Sequence, residues 1–124
     1  MNAKIFLVLR IVFGLFLLIF GANKFLQFMP MGEMSESAGA YFGALMSAKV
    51  LPLVAIIEIL AGLALLLNKY APLMLLILAS VSVNAVLFHA TLAPEGIAPA
   101  ALLLILNIVL LYHYKDRYKD ILKA

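Results

Sequence analysis

Apolar residues run almost without a break through four stretches of the chain, 5–22, 50–67, 71–91 and 97–114, and polar residues collect between them. Each stretch is about 18 residues or longer, close to the ~20 that an α-helix needs to cross a bilayer core. Lipid leaves an open strand edge unsatisfied, so helices are the expected form. The breaks carry turn chemistry. Asn68-Lys69-Tyr70-Ala71-Pro72 places a proline at the entry of the third helix, and Ala93-Pro94-Glu95-Gly96 precedes Pro99 in the first turn of the fourth. The first stretch has no small-residue cleavage site and runs directly into Asn23-Lys24-Phe25, so it is expected to be a retained span.

The connection between the first two spans is too long for a plain turn. After Met29-Pro30-Met31-Gly32 comes Ser35, a helix-capping residue, and then Gly39, Gly43 and Ser47 at four-residue spacing. This pattern predicts a short helix over 36–48, either lying on the outer surface or acting as a lid over a space between the spans. The expected architecture is all-α: a single domain over 1–124, a four-transmembrane-helix bundle with a short outer-face helix, and a tail over 115–124.

Polar residues inside the spans then become informative, because a charge at membrane depth costs at least ~2.5–3.5 kcal/mol. Glu58 stands in the middle of the second span. On the first, Arg10, Gly14, Leu17, Gly21 and Lys24 follow one another at steps of three and four, which is one helix face. Glycines on that face allow a neighbouring backbone to come close. Ala55, Glu58, Ala61, Gly62 and Leu65 form a matching face on the second span. The third carries Ser80, Asn84 and His89, and the fourth Asn107. At about 1.5 Å per residue, Glu58, Asn84 and Asn107 are expected in one layer near the midplane. Arg10 is then the expected ion-pair partner of Glu58, with Lys24 nearer His89 and Asn23 at the outer mouth.

Composition sets the limits. The chain has 124 residues, 67% of them hydrophobic, and a mean hydropathy of +1.17, against 45–50% apolar residues in a typical soluble domain. It contains no cysteine, which removes disulfide relays, thiolate metal sites and cysteine nucleophiles. Its net charge of +3 suits a membrane surface, and with 12% charged residues no nucleic-acid face is expected. Lys4, Arg10, Lys69 and the four cations of the tail fall on one side of the bilayer, with Lys24 and Lys49 on the other. That asymmetry predicts that both termini are cytoplasmic. The two histidines fall at opposite sides of the membrane, so no metal site is expected. A Glu58–His89 hydrolase triad fails on depth, with no serine placed between them.

Three stretches together resemble the DoxX family of small four-helix membrane proteins. They are Leu9-Arg10-Ile11-Val12-Phe13-Gly14 leading to Phe20-Gly21-Ala22-Asn23-Lys24-Phe25, then Ile57-Glu58-Ile59-Leu60-Ala61-Gly62-Leu63, then Val83-Asn84-Ala85-Val86-Leu87-Phe88-His89. The resemblance implies a bundle in the cytoplasmic membrane and an association with redox chemistry. Relatives include a subunit of thiosulfate:quinone oxidoreductase and proteins linked to oxidative-stress assemblies, and more distant members act in protein assembly or cargo handling.

The leading expectation is therefore a redox-associated subunit that binds a small lipophilic molecule such as a quinone. Arg10, Glu58 and Asn84 would form the floor of its site, and Lys24 and His89 the mouth. No other cofactor is evident. The expected partners are the lipid bilayer and either a membrane redox-complex protein or a second copy of the chain. Two alternatives stand beside it: a structural or assembly protein whose polar layer only sets helix register, and a proton-coupled carrier using Glu58.

Overall fold

A computed structural model describes residues 2–27 and 33–124 of the chain. The Met29-Pro30-Met31-Gly32 stretch of the first connection lies outside the described residues. The helices are α1 (Ala3–Leu26), α2 (Glu36–Ser47), α3 (Val50–Leu67), α4 (Ala71–Thr91) and α5 (Ile97–His113), with 3₁₀ turns at Pro94–Gly96 and Lys115–Tyr118. There is no strand among the described residues. α1, α3, α4 and the Pro94–His113 segment are long and apolar enough to cross a membrane.

Local chemistry sets the helix ends. Asn2 caps α1 by accepting from the Lys4 amide at 2.7 Å. Ser35 caps α2 by accepting from the Ala38 amide at 3.2 Å. Asn68 closes α3 in the left-handed conformation, φ 51°, which asparagine tolerates better than most side chains. Pro72 stands in the first turn of α4.

Short connections make α3, α4 and α5 successive antiparallel neighbours. α1 packs chiefly against α3, and α2 lies across the end of the bundle where α1 stops and α3 begins. Each long helix divides cleanly around its axis. On α1, Ile5, Val8, Val12, Leu15 and Ile19 are exposed, while Arg10, Phe13, Gly14, Leu17 and Gly21 are buried. The same split on α5 sets Leu102, Ile105 and Ile108 outward and Leu103, Leu106 and Leu110 inward. Outward aliphatic stripes on all four long helices are what a lipid solvent requires. The core joins Phe13 and Leu17 to Ala61, Leu65, Leu75, Leu78 and Leu110.

The seam between α1 and α3 is close because it is built from glycines. A Cβ at Gly62 would come 2.8 Å from the Gly14 carbonyl oxygen and 2.9 Å from Leu18 Cγ. One at Gly21 would come 3.1 Å from the Ala55 carbonyl and 2.9 Å from Ile59. Between membrane helices, where burial from water gives little drive, such close packing supplies much of the attraction.

The end opposite α2 is held by polar ties. Tyr114 Oη donates to Asn68 Oδ1 at 2.8 Å, and Tyr118 Oη to the Pro72 carbonyl at 2.6 Å. These bonds draw the Lys115–Tyr118 turn onto the α3–α4 connection. Phe6 stacks on His113 with ring centroids 3.7 Å apart.

Candidate functional site

Near α2, two oppositely charged side chains meet between α1 and α3. Lys24 Nζ lies 2.5 Å from Glu58 Oε1, and the glutamate side chain is 3% exposed against 24% for the lysine. Lys24 leaves the last turn of α1 and reaches back along its own helix, where Nζ also donates to the Phe20 carbonyl at 3.5 Å. The acid is thus neutralised at depth by a cation whose root is near the surface, a long apolar stem bridging the two.

This pairing differs from the expected Arg10–Glu58 bridge. Arg10 is buried but donates through Nη1 to the Leu65 carbonyl, and to the Leu66 carbonyl at 3.2 Å. It caps the last turn of α3, where orphan carbonyls and the negative end of the helix dipole favour a cation. The reason is register. α1 runs on to Leu26, past the expected end near residue 22, and the seam sets Gly21 against Ala55 and Glu58, and Gly14 against Gly62. Glu58 therefore stands about one turn from Lys24 and roughly 15 Å from Arg10 at 1.5 Å per residue.

Beside the ion pair is a cavity of about 180 Å³. Its walls come from all five helices: Phe16, Phe20 and Lys24 of α1, Tyr41 and Phe42 of α2, Val54 and Glu58 of α3, Asn84, Ala85, Phe88 and His89 of α4, and Ala100 and Leu103 of α5. An adjoining cleft shares Lys24 and His89 and adds Asn23, Gln27 and Met34.

α2 covers this space. Ala38 is fully buried against Phe88 and Ala93. Tyr41 stacks on Phe88 with centroids 5.0 Å apart, and Phe42 meets the same ring edge-on at 5.0 Å. Asn84 Nδ2 donates to Tyr41 Oη at 3.0 Å, and Ser35 Oγ to the Leu92 carbonyl at 3.4 Å. Tyr41, Phe42 and Leu45 of this segment thus line the cavity.

His89 is held from two sides. Its Nδ1 lies 3.1 Å from the Ala93 carbonyl, an acceptor, so Nδ1 carries the proton. The ring rests on Gly96, where a Cβ would come 2.5 Å from His89 Cε1. Glycine at 96 makes the room that the imidazole occupies.

Asn107 stands apart from this group. It is fully buried, accepts from Ser82 Oγ at 2.7 Å and donates to the Leu75 carbonyl at 3.1 Å. It ties α5 to α4 and lines neither the cavity nor the cleft. Four expected residues, Lys24, Glu58, Asn84 and His89, therefore share the cavity, Asn23 lines its approach, and Arg10 and Asn107 serve helix contacts elsewhere. No cluster able to hold a metal ion is present among the described residues.

The sequence reading missed Ser82 and the aromatic walls. Ser82 lies on the buried stripe Leu75, Leu78, Ser82 of α4, whereas Ser80 is exposed and donates to its own helix at Ile77. The three-and-four spacing of that stripe was a usable signal. Phe16, Phe20 and Tyr41 gave none, because aromatic residues on an apolar face look the same whether they fill a core or wall a void.

A family model described as DoxX matches residues 5–91. No curated protein and no solved structure matches the chain.

Proposed function

The chain belongs to the DoxX family, and on that premise we propose that this multi-pass membrane protein holds a small lipophilic molecule beside Lys24 and Glu58. The observation that carries the reading is the void itself. A polar layer serving helix register alone packs its members on one another, as Asn107 does with Ser82 and Leu75. Lys24 and Glu58 instead border about 180 Å³ of aromatic-walled space. That is below the ~300–1,000 Å³ of sites for drug-sized ligands. It exceeds the ~150 Å³ of an apolar cavity that admits benzene. The space suits one ring or head group, with any apolar tail leaving toward lipid. Lys24, Asn84 and His89 supply polar contacts at the ring, and a quinone in its reduced, hydroxylated form is an occupant of fitting size and polarity. In that case the protein serves as a subunit of a membrane redox assembly.

Filling the void tests the reading. Native mass spectrometry of the purified protein should detect a retained lipophile, and Ala85→Phe should abolish it with a stability change within about 1 kcal/mol. Solvent extraction then identifies the molecule, and a species other than a quinone rejects that occupant. A wild-type protein that retains nothing, and that Ala85→Phe stabilises, would instead favour the structural reading. That reading draws on the Lys24–Glu58 pair as a pin between α1 and α3.

Both termini are proposed to face the cytoplasm, on the strength of Lys4, Arg10, Lys69 and the tail cations. Reporter fusions at Met1 and Ala124 should both read inside. An external reading at either end overturns the orientation.

A further inference from the structure

The polar atoms around the cavity differ in what they have left to offer. His89 Nδ1 donates to the Ala93 carbonyl, so in the neutral ring Nε2 is an acceptor. Nε2 makes no hydrogen bond among the described residues, and the His89 side chain faces both the cavity and the cleft. Tyr41 Oη accepts from Asn84 Nδ2 and keeps its own proton to donate. Lys24 places its ammonium on Glu58 and the Phe20 carbonyl, which leaves one of its three N–H groups uncommitted. The cavity therefore presents an unfilled acceptor together with unfilled donors.

A carbonyl or ether answers only the donors. A hydroxyl answers both, because it donates one proton and accepts through two lone pairs. The surrounding walls, Phe16, Phe20, Phe42 and Phe88, suit the ring that would carry it.

Resting on the cavity reading above, we infer that the ligand is an uncharged hydroxylated ring of the phenol class, with His89 Nε2 as the atom that selects for its hydroxyl. The Lys24–Glu58 pair is neutral as a unit, so it offers no net charge to attract a charged head group. Gly96 and the Ala93 carbonyl set the imidazole, so the selecting atom is presented by a fixed ring.

The test compares 4-butylphenol with its methyl ether, 4-butylanisole, on the full-length protein in detergent. Binding of each probe is read by titration calorimetry. The phenol should bind about tenfold more tightly, since the ether leaves Nε2 unanswered. His89→Phe, which keeps a flat ring over Gly96, should erase the preference between the two probes, and His89→Leu supplies the same arm if the phenylalanine variant fails to fold. Equal binding of the two probes, or a preference that survives loss of the imidazole, overturns the hydroxyl selection and leaves the cavity reading standing. Binding of neither probe overturns both.

Discussion

Lys24→Leu should destabilise the protein by about 3–5 kcal/mol, because it strands a carboxyl group at membrane depth. Glu58 is 3% exposed, and its ammonium neighbour at 2.5 Å is the one cation paired with it among the described residues. The cost falls on the partner that stays behind, so Lys24→Leu combined with Glu58→Gln should recover half or more of the loss. Arg10 provides the control. It caps α3 at Leu65 and Leu66, so Arg10→Leu should also destabilise, but its effect should add to that of Glu58→Gln within ~0.3–0.5 kcal/mol. A double-mutant cycle by thermal unfolding in detergent separates the two cases. Additivity between Lys24 and Glu58, or strong coupling between Arg10 and Glu58, would show that the pairing described above is wrong.

The second large effect belongs to the α1–α3 seam. Gly62→Leu should cost about 3 kcal/mol or more, at the upper end of the range for overpacked cores. The added Cβ meets the Gly14 carbonyl oxygen at 2.8 Å, and backbone on a packed helix cannot turn aside as a side chain can. The helices would have to separate, and separation would also disturb Glu58 one turn away. Gly39 and Gly43 of α2 give the contrast. Nothing lies within 4 Å of a Cβ at either, so Gly39→Leu and Gly43→Leu should change stability by no more than ~0.5–1 kcal/mol. If all three substitutions proved equally mild in thermal unfolding, α1 and α3 would not be in backbone contact.

The architecture was legible because a bilayer leaves few choices. Any span with Glu58 at its centre and leucine, isoleucine and valine around it must be a helix, and the proline and asparagine turns separate one helix from the next. Helix faces were legible too. The stripe Arg10, Gly14, Leu17, Gly21 is buried in the order that three-and-four spacing implies, since lipid rejects a cationic face and accepts the aliphatic one opposite.

What the chain determined by itself, then, was the number of spans, the face each turns inward, and the polar residues those faces carry. Vertical register was not in it. Periodicity defines an angle around a helix axis but no height along a neighbour, and a slide of a turn or two exchanges Arg10 for Lys24 opposite Glu58. Tertiary packing decided that height through the fit of Gly14, Gly21 and Gly62, whose missing side chains allow one close approach between α1 and α3. Tertiary packing also decided where space would remain. A void is the difference between what five helices enclose and what their side chains fill. No single segment encodes that difference, so the cavity beneath α2 existed only once Tyr41 had met Asn84 and Phe88.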